Sequence, residues 1–429
     1  MMTRDGEAVH VVYPGISAGN FGPDYRDAVV AFGERSQVAG DVELHLCGED
    51  WHRHGHDADV AYDRVILHVV ARERAAAARC IAGGCDVPEV VLEDADQVRA
   101  ASFLPCALRS EPDAVNVRRH LARAGRARML IRAARIADRP IRSAPWEPLA
   151  HGVARALGYA ANADASMELG RRLTDVRSDL WLSDGDDNYR EVLTVGVAGL
   201  LPSQRKGTVL PPCELALEWE TRWRRLELGV ASMDAHQWRI NGLYPNNSPV
   251  RRAVALADLW PSIRQVADLA SGLILGGGAR ARLCASTLEA RFRLSGSVYW
   301  GRHYDFGLCT RESDLIGGSK AREIVINALL PWVASTALTA GDSQLLDAAV
   351  RLLGEYPPAS PNAVTRHMER QLNLSRGGAN AAEQQGMLHL FREYCRHGRC
   401  DACVLGGLWQ LREVNSSSNH TDSSLAVVV

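Results

Sequence analysis

Lysine is nearly missing from this chain: of 49 basic residues only Lys206 and Lys320 are lysines, and the rest are arginines. Any mechanism that needs a lysine to orient or deprotonate water is left with two candidates. Long apolar runs are missing as well. No uninterrupted apolar run approaches the roughly 18 to 20 residues that a membrane-spanning helix requires, and the opening MMTRDGEAVH lacks the apolar segment of a signal peptide. The expected location is therefore the cytoplasm. Neither charge sign dominates: 49 basic and 51 acidic residues leave a net charge of −2, so any nucleic-acid binding has to be local. A disulfide framework is not indicated either. Ten cysteines at irregular spacings, with no export signal, read as reduced thiols and as candidates for a metal site.

What is present points to a packed protein. With 429 residues, 46% of them apolar and 23% charged, the chain has the composition of an ordinary globular protein of two or three domains. Up to about Glu93 short β-branched runs (HVVYPGI, YRDAVVAF, DVELHL, RVILHVVA, PEVVLE) alternate with turn residues, the period-two pattern of strands. From Asp113 onward apolar residues recur at three- and four-residue intervals, as in VRRHLARAGRARMLIRAARIA and EQQGMLHLFREYCRH. The expected class is α+β: a strand-rich N-terminal domain with a mixed sheet, followed by a mainly α-helical region. The expected borders are 1–105 for the strand-rich domain, 106–205 for a helical domain with an arginine-rich helix, 206–412 for a helical domain ending in a cysteine cluster, and 413–429 for a disordered tail.

The sharpest chemistry lies between Asn20 and His68. In a strand, residues i and i+2 share a face, so within GDVELHL Glu43 and His45 point one way while Val42, Leu44 and Leu46 point to a core. Asp24 follows a Gly-Pro turn at the mouth of the preceding strand, where antiparallel pairing brings its carboxylate beside Glu43. Two converging carboxylates suit Mg²⁺ or Mn²⁺, and a bound ion activates water and stabilises charge on phosphorus. Downstream, His52, His54 and His56, with Asp57 and Asp59, offer further ligands or a base. His68 sits inside an apolar strand, where a hydrogen-bonded core histidine is the ordinary reading. A solvated loop also accounts for acids and histidines near turns.

Nine arginines and one acid, Asp138, lie between Arg118 and Arg142. Guanidinium groups pair with phosphates in bidentate fashion, so Arg118, Arg119, Arg123, Arg126, Arg128, Arg132 and Arg135 are candidates for holding a nucleic-acid backbone; a solvated helix face is the alternative. Arg251 and Arg252 after Asn247, at a turn entering a helix, are a second candidate. Near the end come Cys395, Cys400 and Cys403, a spacing similar to the cluster loops that end some DNA-repair enzymes; zinc or an iron–sulfur cluster would suit it. A closed site needs a fourth ligand, with Cys106 the first choice, then His397 and Cys309. The alternative is thiols packed on a helix end. His303, Asp305 and the tryptophans Trp219, Trp223, Trp238, Trp300 and Trp332 are expected to build core.

These segments, together with WEPLAHGVARALGYAANADAS, GVAGLLP, NNSPVRR, HYDFG and QQGMLHLFREYCRHGRCDAC, follow one another as in a bacterial family known as domain of unknown function 2851. The chain resembles that family from about Val9 to Gly406. The family brings no activity with it. Its members usually place a tryptophan-containing helix before the first strand, which implies that this chain starts late. The N-terminal part is also similar to the PD-(D/E)xK nuclease superfamily, where an aspartate opens one strand and a (D/E)xK motif lies on the next. That resemblance assigns Asp24 to the first half and Glu43-Leu44-His45 to the second, with histidine in place of lysine. His45, or one of His52, His54 and His56, then has to substitute as base or ligand. The resulting expectation is a metal-dependent nuclease: Asp24 and Glu43 on the ion, His45 on water, His54 and His56 as added ligands, arginines on the phosphates. The alternative is a non-catalytic nucleic-acid- or protein-binding scaffold with a structural metal site.

Overall fold

Short β-branched runs recur through the first ninety positions, and there the chain forms strands β1 (Val9–Tyr13), β2 (Ile16–Ser17), β3 (Tyr25–Phe32), β4 (Val38–His45), β5 (Val65–Val70) and β6 (Glu89–Val91). The computed structural model describes residues 1–18, 22–34, 37–72, 86–92, 106, 114–139, 144–176, 181, 188–205, 207–226, 229–277, 281–375 and 378–405. Asn20, Lys206 and the expected tail 413–429 lie outside these residues. The strands join in the order β1-β3-β4-β5-β6, with β2 beside β3. Pairing is antiparallel from β1 through β4 and parallel from β4 through β6. Parallel neighbours need a crossover. Between β4 and β5 that crossover is residues 46–64, which carry the one-turn helix α1 (Asp50–Arg53).

Strand alternation gives the sheet two different faces. One buries Val9, Ala28, Val30, Phe32, Val42, Leu67, Val69 and Val90. The other packs Tyr13, Ile16 and Val29 against helices, and toward β4, β5 and β6 it carries Glu43, His68 and Glu89. Leu46 departs from expectation. It lies beyond the end of β4, where the alternation no longer applies, and is 66% exposed.

Helical periodicity sets in where expected: α2 (Ala114–Ala137), α3 (Glu147–Leu157), α4 (Ala163–Asp175), α5 (Tyr189–Val197), α6 (Glu214–Trp223), α7 (Pro249–Gly277) and α8 (Ala281–Ala290). A small hairpin, β7 (His303–Asp305) with β8 (Leu308–Cys309), precedes α9 (Gly318–Ile324), which runs through one π-helical turn, Val325–Leu329, into α10 (Leu330–Ala340). Then come α11 (Ser343–Glu355), α12 (Ala363–Gln371) and α13 (Ala381–Glu393). The stretch Gly318–Ala340 is long and apolar enough to cross a membrane by composition alone, but 67% of its apolar window is buried, as in a core helix.

The contacts divide the chain into two compact units that do not follow the consecutive segments suggested by composition. The first unit is residues 1–125 with 361–429, so the sheet shares its core with α12, α13 and the first half of α2. A Cβ on Gly125 would meet the Ala382 carbonyl oxygen at 1.8 Å, and one on Gly386 the Leu121 oxygen at 2.0 Å, so glycine is what lets α2 and α13 cross backbone to backbone. The second unit, 126–360, is helical. Its core includes Trp219, Trp300 and Phe306 in mutual contact, and Arg205 holds Asp305 through two hydrogen bonds of 2.7 and 2.8 Å.

Candidate functional site

The β3–β4 ladder aligns Tyr25 with Val42, which sets Asp24 and Glu43 side by side. Each carboxylate braces the other's strand: the Asp24 amide donates to Glu43 Oε2 at 3.0 Å, and the Leu44 amide donates to Asp24 Oδ2 at 3.0 Å. Burial, and then the neighbouring Glu43 charge, push the Asp24 carboxyl above its ordinary range.

Three imidazoles join this pair. The ligand atoms of His45, His54 and His56 all lie within 4.8 Å of one another. Glu43 Oε1 stands 3.5 Å from His45 Nε2 and 3.4 Å from His56 Nε2. His56 is 7% exposed, and its Nε2, although near Glu43, lacks a partner in hydrogen-bond geometry. A buried ring nitrogen aimed at a carboxylate and two other imidazoles suits a cation among them. His54 is exposed, which leaves the cluster open on one side.

The crossover is shaped to deliver His54 and His56. Trp51, fully buried, packs edge-on against His56, Tyr62 and His68, and His56 stacks on Tyr62 with ring centroids 3.7 Å apart. Gly55, at φ +73°, makes the turn between the two histidines. His52 is instead beside Asp57 at 3.4 Å, and Asp59 caps the following turn through the Ala61 amide at 2.9 Å.

Behind His45 runs a hydrogen-bonded chain. Register places Glu43, His68 and Glu89 in one row across β4, β5 and β6. His68 Nδ1 meets Glu89 Oε2 at 2.9 Å, and His68 Nε2 meets His45 Nδ1 at 2.8 Å. A carboxylate only accepts, so His68 Nδ1 is the donor to Glu89. With His68 Nε2 as the acceptor, His45 donates from Nδ1. His45 Nε2 is left with its lone pair facing the cluster, 3.1 Å from His54 Nδ1. Burial, and then His68, lower the His45 pKa to about 4, against the opposing effect of Glu43, so the ring is neutral near pH 7. Arg4 holds the other Glu89 oxygen. Sequence reasoning treated His68 as core and did not find Glu89 or Arg4; the one available signal was an acid inside the apolar run PEVVLE.

The expected arginine surface is partly consumed by the fold. Arg118 donates to Glu383 Oε2 at 2.8 Å and to the Gly378 oxygen at 2.7 Å, and Arg119 to Asn116 Oδ1 at 2.7 Å. Arg132 donates to the Asn327 oxygen at 2.7 Å. Arg128 is half-buried, whereas Arg123, Arg126 and Arg135 are exposed. Arg251 is fully buried, holding the His303 and Ser313 oxygens at 2.8 and 2.7 Å, and Arg252 is buried against Leu315 and Tyr159. These last two guanidinium groups are internal ties, not a surface for phosphate. Arg26, which sequence reasoning passed over, is exposed on β3, and its charge reaches Tyr62 and Asp41.

Compared with known proteins, residues 1–362 match a family model described as protein of unknown function (DUF2851). Among curated proteins and solved structures, nothing matches.

Proposed function

The chain belongs to the DUF2851 family, and we propose that its N-terminal sheet carries a metal-dependent hydrolase site acting on phosphodiesters. The observation that carries this reading is the convergence of His45, His54 and His56 on Glu43, with Asp24 adjacent. Three imidazoles and a carboxylate favour Mn²⁺, Fe²⁺ or Zn²⁺ over Mg²⁺, which prefers oxygen ligands. This shifts His45 from the water-activating part its sequence position suggests to that of a ligand. The ion would supply Lewis acidity toward water and a phosphoryl oxygen.

The remaining tasks fall to the chain's own residues. The hydrogen bonds from Glu89 through His68 keep the His45 lone pair directed into the site. Asp24, its carboxyl raised by burial and Glu43, is the group placed to take a proton from water. Tyr62, pushed up to about 12 by burial and then by Glu43 and Asp59, stays protonated. Arg26, exposed on β3, adds positive charge that reaches Tyr62.

The second reading, a binding scaffold with a structural ion, draws support from Arg118, Arg132, Arg251 and Arg252, whose intramolecular bonds reduce the basic surface open to a polymer. A cleavage assay separates the two. Purified protein with Mn²⁺ should cut single- or double-stranded nucleic acid, and Glu43→Gln should lower the rate by at least about 10²-fold while leaving the circular dichroism unchanged. Equal rates in the variant, or no cleavage with any divalent metal, would favour the scaffold.

A further inference from the structure

The sheet-bearing unit is assembled from two pieces of chain, 1–125 and 361–429. Three cysteines pack into one core where these pieces join, and a fourth, Cys400, lies on the same turn as Cys403. Cys106 comes from the first piece and packs against the same core as buried Cys395 and half-buried Cys403 of the second. Cys395 opens the turn Cys395–His397 that follows α13, and the chain then folds back tightly. The Gly398 amide donates to the Cys395 oxygen at 3.0 Å, the Cys400 amide to Gly398 at 3.0 Å, and the Cys403 amide to Cys400 at 3.2 Å. Gly398 makes this possible at φ +64°, where a Cβ would meet Gln37 Oε1 at 3.0 Å and the Val29 side chain at 3.4 Å. The loop is thereby pressed against β3.

Gln371 gives a second, independent sign. It is 2% exposed, at the end of α12, and its Nε2 donates to Cys106 Sγ at 3.5 Å and to Cys395 Sγ at 3.6 Å. Its oxygen faces His367 Nε2 at 3.1 Å, a nitrogen that the Tyr13 hydroxyl also approaches. A neutral thiol is a weak acceptor. A buried amide that directs its N–H groups at two sulfurs is far better matched to thiolates, whose donors tune thiolate-bound metals.

We propose that Cys106, Cys395, Cys400 and Cys403 form a four-thiolate metal site, zinc or iron–sulfur, that fastens the two separated pieces of the sheet-bearing unit together. The site is independent of the histidine cluster and of the hydrolase reading. His397, exposed beside Arg396, and Cys309, beside His303 in the other unit, are not part of it. Closing so long a loop is where a cross-link restricts the unfolded chain most.

The test uses the full chain, purified without oxygen. About one zinc per chain without sulfide, or iron with matching acid-labile sulfide and absorption near 400 nm, supports the site and identifies its occupant. The double variant Cys400→Ser/Cys403→Ser changes two half-buried residues and should lose that metal, with a lower thermal midpoint. His54→Ala/His56→Ala should keep it. X-ray absorption at the metal edge of the unaltered chain needs no variant and should show sulfur neighbours at about 2.3 Å. Folded protein without metal, metal undiminished in the cysteine double variant, or an edge spectrum with only nitrogen and oxygen neighbours would each overturn the proposal.

Discussion

At the residue scale, the candidate site owes its shape to a few local rules. Alternation along β4 puts Glu43 and His45 on one face, and the short crossover brings His54 and His56 back over them. Both facts were legible in the sequence, because each depends on residues within about twenty positions of one another. Glu89 and Arg4 were not, since their part depends on which strand pairs beside β5, and local patterning says nothing of that. The same gap hid the hydrogen bond between His45 and His68 in the next strand. If that hydrogen bond matters, His68→Ala should weaken metal binding at the histidines by about 10- to 100-fold, the usual effect of losing a ligand's hydrogen-bond partner. Competition with a coloured chelator reads this directly, and unchanged affinity would mean that the contact is only packing.

At the element scale, the long helices and strands stand close to where hydrophobic period places them, and the deviations have identifiable causes. The π-helical turn before α10 precedes Pro331, which has no N–H to give to the Asn327 oxygen; Arg132 supplies that hydrogen bond instead. An arginine expected to face phosphate thus completes a helix, and no helical-period argument could distinguish the two uses. A second element-scale feature is a pair of acids between α5 and α7. Glu191 is 5% exposed with Oε2 lacking a hydrogen-bond partner, and burial, then Asp258, push its carboxyl up to about 8. The Trp300 indole is close enough to ease this slightly but falls short of hydrogen-bond geometry. Burial also pushes Asp258 up to about 6. A carboxyl with a raised folded-state pKa binds its proton more tightly in the folded protein, so stability is greatest at low pH. It declines as pH rises from the unfolded value of 4.5 through about 8. Glu191→Gln should therefore raise stability by on the order of 1–3 kcal/mol at pH 8.5 and much less at pH 5. Chemical denaturation at the two pH values checks it, and an equal effect at both would contradict the assignment.

At the scale of the whole molecule, the unforeseen feature is the discontinuous first unit. Composition shifts near residues 105 and 205 suggested consecutive domains, but the sheet's helical face is covered by α12 and α13 from the far end of the sequence. Nothing in their own periodicity says which core they join. The family match ends at residue 362, before these two helices, whereas the quoted motifs run on to Gly406. Because each unit has its own core, scanning calorimetry of the full chain should resolve two transitions, and Mn²⁺ should raise only one. A single transition, or two that move together, would show that the units unfold as one.

The most direct measurement is calorimetric titration of the full chain with Mn²⁺, an ion with little affinity for thiolates. The expected result is one strong site per chain, lost in His54→Ala/His56→Ala, weakened in Glu43→Gln and retained in Cys400→Ser/Cys403→Ser. Absence of binding, or binding unaffected by the histidine changes, would contradict a metal centre on the N-terminal sheet.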